Sequence, residues 1–124
     1  MCVRVLLAED AELVRKGIRV LLSNREDITL VSEAATFSEA VQKAQELLPD
    51  VIILDLHMAD SETERLLAGS KLLAISFAND EEAKASADAI GAAKLLDKMN
   101  LSRELIPSIL QLVQMQTMQP GLAP

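Results

Sequence analysis

The chain has 124 residues, half of them apolar and a quarter charged, which is enough for one domain with a self-sufficient core. Twelve Lys and Arg against nineteen Asp and Glu leave a net charge of −7, the wrong sign for a nucleic-acid module. With no Trp, no Tyr and only Phe37 and Phe77, base-stacking platforms are also missing, so no nucleic acid is expected to bind this domain alone. One cysteine, Cys2, allows no internal disulfide, and with one histidine, His57, it allows no Cys/His zinc site. No apolar run approaches a membrane span and the opening residues do not read as a signal peptide. A cytoplasmic protein with no membrane partner is expected.

The first apolar run, Val3–Ala8, stops at Glu9-Asp10. Val14, Ile18, Leu21 and Leu22 then fall at i, i+4, i+7 and i+8, the stripe of an amphipathic helix. After the second run, Ile28–Ser32, comes Thr36-Phe37-Ser38-Glu39, which has capping-box spacing; Ala40, Val41, Ala44, Leu47 and Leu48 continue a helical face. The third run, Val51–Leu54, ends at Asp55. Residues 55–70 must then supply two loops and a helix, so a helix there is limited to two or three turns and is placed at Ser61–Leu67. The fourth run is Leu72–Phe77. Asn79-Asp80-Glu81-Glu82 sets acids at a following helix N-terminus, and Gly91 suits its end. Lys94–Leu96 is the fifth run. Ile106, Ile109, Leu110 and Val113 mark a last helix, which Pro107 is expected to make begin late or irregularly. Residues 1–115 are expected to form the domain. Residues 116–124, where Gln, Pro and Gly displace the apolar period, read as a tail or linker.

The runs are rich in Val, Ile and Leu without strict polar alternation, as strands covered on both faces are. Each gap between them is long enough for a parallel crossover through a helix. The pattern predicts an α/β fold, a doubly wound parallel sheet with helices on both faces and a shortened third helix.

Ligands of such sheets bind beyond the carboxyl ends of the strands, so the residues that end each run matter most. They are Glu9 and Asp10, Asp55, Ser76 and, just past the fifth run, Lys98. Two carboxylates about 4 Å apart repel by roughly 4 kcal/mol at an effective dielectric of 20, against a total domain stability of about 5–15 kcal/mol. Such a cluster calls for cations: Lys98 is one, and a divalent ion with oxygen ligands, Mg²⁺, is another. A carboxylate beside that ion, with a hydroxyl and an ammonium at hand for phosphoryl oxygens, is suited to forming an aspartyl phosphate.

The stretches VRVLLAED (3–10), PDVIILDLHM (49–58), LLAISFAND (72–80) and GAAKLLDK (91–98) resemble the receiver domains of two-component response regulators over about residues 3–115. The opening VRVLLAEDAELVRKGIRVLL is most similar to the subgroup whose receivers precede a helix-turn-helix DNA-binding domain. The resemblance implies a flavodoxin-like, five-stranded sheet of order 2-1-3-4-5. It implies Asp55 as phosphoacceptor, and Asp10, Asp55 and the His57 backbone carbonyl as Mg²⁺ ligands, with Glu9 acting through water. Ser76 and Lys98 would engage the phosphoryl group. The implied partners are a sensor histidine kinase and a second copy of the chain, met through the face of the fourth helix, fifth strand and fifth helix or through the first helix. Three features depart from the family pattern. Leu95 stands where a rotating aromatic is common, Ala59 replaces a proline, and the third crossover is short. None removes a chemical group; they bear on the conformational relay and on docking.

The expected function is thus a phosphorylation-controlled signalling switch, not an enzyme beyond accepting and losing a phosphoryl group. Its rival is a receiver-like interaction module that works without phosphorylation. An aspartate-nucleophile phosphatase is disfavoured, because such enzymes want a second acid two residues past the nucleophile and His57 stands there.

Overall fold

A computed structural model describes residues 2–67 and 69–117. Five parallel strands, β1 (Val3–Ala8), β2 (Ile28–Ala34), β3 (Val51–Asp55), β4 (Lys71–Ser76) and β5 (Lys94–Asp97), form one sheet of order β2-β1-β3-β4-β5. Between them run α1 (Glu12–Ser23), α2 (Phe37–Leu47), α3 (Thr63–Leu66) and α4 (Glu81–Ala89), and α5 (Leu101–Thr117) follows the last strand. This is the expected flavodoxin-like order. The direction of strand addition reverses between β1 and β3, which opens a crevice at their carboxyl ends.

The sheet carries a core on each face. Val5 and Leu7, Val51 and Ile53, and Leu73 and Ile75 meet Ile18 and Leu22 of α1 and Leu105, Ile109 and Leu112 of α5. The alternate residues Leu6, Ala8, Ile52, Leu54 and Leu72 meet Ala40 and Ala44 of α2 and Leu67. Successive strand side chains point to opposite faces, and here both faces are covered, so every residue of β3 is buried. The runs without polar alternation are explained by that.

Local signals act largely as read. Thr36 caps α2, its hydroxyl accepting from the Glu39 amide at 3.2 Å, while the Glu39 carboxylate accepts from the Ala35 amide at 3.2 Å. Asp80 caps α4 by accepting from the Ala83 amide at 2.9 Å, and Gly91 follows its end at φ +77°. A side chain at position 91 would be strained there and would press on the Glu64 side chain at 3.1 Å.

Two expectations need correction. The third helix covers Thr63–Leu66, a single turn, rather than Ser61–Leu67. Residues Leu56–Met58 form a 3₁₀ turn, and Asp60 folds the next loop by accepting from the Glu62 amide at 2.8 Å. The Asp60 amide in turn donates to the hydroxyl of buried Thr63 at 2.9 Å. Turn hydrogen bonds thus hold residues 56–62 before a helix can begin. At the far end the Lys71 amide donates to the Asp50 carbonyl at 3.0 Å, which fixes where the crossover must return.

The last helix does not begin late. It starts at Leu101, six residues ahead of Pro107, which sits inside it. Pro107 and Arg103 both lie on the exposed face, so water can take the Arg103 carbonyl that Pro107 leaves without a donor. Residues 116 and 117 of the expected tail continue α5, and residues 118–124 lie outside the described residues.

Replacing the α2 cap tests the reading of the second crossover. Thr36→Ala is expected to cost about 1 kcal/mol and to lower the thermal midpoint by about 4 °C. Calorimetry checks this; an unchanged midpoint would mean that α2 is held by packing alone.

Candidate functional site

The strand ends converge as the register dictates. Ala8 pairs with Leu54, which brings the next residues, Glu9 and Asp55, level; Asp55 pairs with Ile75, and Ser76 with Asp97. Four of the five positions picked from the sequence are then buried or nearly so. Glu9 is 0 % exposed, Asp55 2 % and Ser76 1 %, and the Lys98 side chain is 5 % exposed. Asp10 is exposed at the rim.

Lys98 ties the site together. Its Nζ lies 2.9 Å from Glu9 Oε1 and 3.4 Å from Asp55 Oδ1. Asp55 Oδ1 also accepts from the His57 amide at 3.1 Å, which caps the 3₁₀ turn and orients the carboxylate. Ser76 Oγ accepts from the Ala78 amide at 3.0 Å, leaving the hydroxyl proton to point elsewhere. Lys98 begins a second 3₁₀ turn, Lys98–Asn100, in which the Asp97 carboxylate accepts from the Met99 amide at 2.8 Å.

Carboxylate oxygens of Glu9, Asp10 and Asp55 all lie within 4.8 Å of one another, so the ammonium that pairs with Glu9 and Asp55 stands at a cluster of three acids. Burial pushes the Glu9 carboxyl above its ordinary range; the hydrogen bond from Lys98 pulls it back, and the neighbouring Asp55 charge raises it again. Glu9 Oε2 is buried and has no hydrogen-bond partner among the described residues. A buried carboxylate oxygen with no donor is costly, and a small cation is the natural group to satisfy it.

The remaining candidates sit apart from this hollow. The His57 side chain is exposed, and His57 and Ser76 share a cavity of about 310 Å³ with Asp80 and Ala83 at the start of α4. Leu95 is half-buried, paired in register with Ala74, two residues short of the end of β5.

Two residues near the site were not singled out from the sequence. Arg15, on α1, donates to the Glu9 carbonyl at 2.8 Å and lies 3.4 Å from the Glu33 carboxylate. It pins the loop that carries both acids. Only its place one turn past Glu9-Asp10 hinted at this. The second is Phe77, whose ring centroid is 5.1 Å from Lys98 Nζ. Its signal was adjacency to Ser76 in a chain with two aromatic residues.

Lys98→Met leaves Glu9 buried without its cation and is expected to cost about 2–3 kcal/mol at neutral pH. Glu9 then has a folded-state pKa further above its unfolded value. A carboxyl so raised binds more protons folded than unfolded, so stability is greatest below the unfolded value and falls as pH rises. The deficit should therefore shrink between pH about 7.5 and about 5 in urea titrations. A deficit independent of pH would count against burial as its cause.

Comparison with known proteins shows the family and the fold. A family model described as the response regulator receiver domain matches residues 5–110. Response regulator protein VraR of Staphylococcus aureus is 39% identical over 97 residues, 72% of this chain and 46% of that protein. The chain thus spans about half the length of the curated relatives it matches. Among solved structures, the response regulator domain of Thermotoga maritima CheB superposes with a TM-score of 0.81 at 26% identity, covering 92% of this chain and 98% of that one. The signal receiver domain of the putative response regulator NarL from Mycobacterium tuberculosis gives a TM-score of 0.81 at 27% identity, covering 91% and 97%. With the sheet order, the converging strand ends and a family match over most of its length, the chain belongs to the response regulator receiver domains of two-component systems.

Proposed function

We propose that Asp55 is the phosphoacceptor of this receiver and that a sensor histidine kinase is its donor. The observation that carries this is the position of Asp55: it ends β3 in the crevice, within 3.4 Å of Lys98 and beside two further carboxylates. An Asp55 oxygen attacks phosphorus, an O–P bond forms, and the P–N bond to the kinase histidine breaks. The nitrogen keeps the electron pair and takes up a proton. Lys98 offsets the charge that collects on the phosphoryl oxygens, and the Ser76 hydroxyl has its proton free to donate to one of them. The His57 amide holds Asp55 in the orientation that attack requires.

The donor set fits Mg²⁺: all oxygen, three carboxylates within 4.8 Å, one of them with an unpartnered buried oxygen. Asp10, Asp55 and the His57 carbonyl would hold the ion, with Glu9 acting through water. When bound it supplies the positive charge that lets the carboxylates and an incoming phosphoryl group share one hollow.

The phosphoryl group brings a charge of about −1.5 to −2 to a site whose one ammonium is already shared. Ser76 and Lys98 are drawn to it, and each stands at the root of a connecting segment: the loop from β4 to α4 and the turn from β5 to α5. The output we propose is altered self-association, through the α4-β5-α5 face or α1, or altered contact with an effector. With Leu95 aliphatic, no ring in β5 can rotate as the readout. The opening stretch resembles receivers that precede a helix-turn-helix domain, and the relatives are about twice as long, which supports a DNA-binding output in transcription regulation. Among the described residues no helix is long and apolar enough to cross a membrane. We read the domain as cytoplasmic, with no catalysis beyond accepting and losing the phosphoryl group.

Incubation with acetyl phosphate and Mg²⁺ should add one phosphoryl group by mass, and Asp55→Ala should abolish it. An intact chain that takes up no adduct would favour a receiver-like module that signals without phosphorylation. Asp10→Asn should remove the Mg²⁺-dependent rise in the thermal midpoint while leaving the metal-free protein as stable or more so, since one of three crowded charges is gone. Melts with and without chelator check this; a clear loss of metal-free stability counts against the acidic cluster as a source of repulsion.

A further inference from the structure

Phe77 directly follows Ser76 where β4 ends at the acidic cluster. Its ring is 60 % exposed, an unfavourable setting for one of two aromatic rings in the chain. The ring centroid lies 5.1 Å from Lys98 Nζ, whose side chain is 5 % exposed and already holds Glu9 and Asp55. An exposed ring over a nearly buried ammonium acts as a roof. Its face attracts the cation, the more strongly because the cation is poorly hydrated. An aliphatic side chain would cover Lys98 equally well but would not attract it.

The same ring and Lys98 line a groove of about 320 Å³ between α1 and the start of α5, with Val14, Gly17, Leu21 and Leu101 among its walls. Gly17 leaves open space there, with nothing within 4 Å of where a Cβ would sit. Phe37, the other aromatic, packs on the opposite face of the sheet. Phe77 is therefore the chain's one ring at this site.

We infer that Phe77 is a positioning residue: its ring holds the Lys98 ammonium against Asp55 and Glu9 and carries the state of Asp55 to the α1–α5 groove. This coupling rests on Asp55 being the phosphoacceptor. A phosphoryl group on Asp55 brings new anionic oxygens to Lys98, which shifts toward them and away from Glu9 while its ammonium stays under the ring. The ring follows the cation, and the groove's wall moves with it. Leu95 supplies no ring in β5, so this route differs from rotation of an aromatic on that strand.

Biosynthetic para-fluorophenylalanine gives one fluorine NMR signal for each of the two phenylalanines, and Phe37→Leu assigns them. Acetyl phosphate with Mg²⁺ is expected to shift the Phe77 signal in step with the adduct seen by mass, leaving the Phe37 signal in place. In the unmodified chain, Lys98→Gln is expected to move the Phe77 signal alone. Phe77→Leu should shorten the half-life of the aspartyl phosphate about fivefold, while Phe77→Tyr, which keeps the ring face, should stay within about twofold of the unsubstituted chain. Melts showing both variants equally stable exclude a merely structural effect. An adduct that leaves the Phe77 signal unmoved overturns the coupling, and a Phe77→Leu half-life equal to that of the unsubstituted chain overturns the positioning. A Phe77 signal indifferent to Lys98→Gln overturns the contact itself, with or without an adduct. Failure of the unsubstituted chain to form any adduct instead overturns the role of Asp55, and the coupling with it.

Discussion

The arrangement at the carboxyl edge of the sheet depends on one buried ammonium. Lys98 reaches Glu9 from the end of β1 and Asp55 from the end of β3, two acids that would otherwise face each other in a hollow with little water. At a separation of about 4 Å their repulsion is comparable to a large share of a domain's stability. The lysine offsets part of it, and the unpartnered Glu9 oxygen marks what remains. Such a site is held under tension by its own charges. It is therefore responsive to any added cation or anion, which is what a signalling switch requires.

The rest of the fold serves to keep that convergence fixed. Both faces of the sheet are packed with aliphatic side chains, so β1, β3 and β4 have no freedom to slide: a one-residue slip would exchange the two cores. The register sets Glu9 level with Asp55 and Ser76 one residue beyond them, and the two 3₁₀ turns, each capped by an aspartate, take the chain sharply away from the crevice. Asp55 and Asp97 thus play the same local part, closing a turn through a main-chain amide. Only Asp55 also meets Lys98, which is why the two aspartates differ in chemistry.

The irregular parts of the molecule lie where the sequence carried mixed signals. Asp60 and Thr63 form turn hydrogen bonds with nearby main-chain amides, so helix α3 shrinks to one turn even though Glu62–Leu67 has ordinary helix propensity. Pro107 is the reverse case, a residue that reads as a helix breaker yet sits within α5. Leu105, Ile109 and Leu112 are locked into the core beneath it, and the lost bond falls on the wet face. In both places a local preference met a competing demand, and the outcome turned on which had more atoms behind it. Side-chain capping won in the loop, and burial of three aliphatic residues won in the helix.

What the sequence by itself determined was the period and the punctuation. Five aliphatic runs, the Thr36 capping box, the acids at the start of the fourth helix and the Gly91 stop set the order of elements, because each is a short-range steric, electrostatic or hydrogen-bonding preference that needs no distant partner. The residues ending those runs were legible as a site for the same reason: strand ends in a parallel sheet share one edge. The placement of Arg15 over the Glu9 carbonyl, and of Phe77 over Lys98, was decided only by tertiary structure. Those contacts join residues brought together by helix docking and by the turn after β5. Their distances follow from packing across the whole domain, which no local pattern of residues encodes.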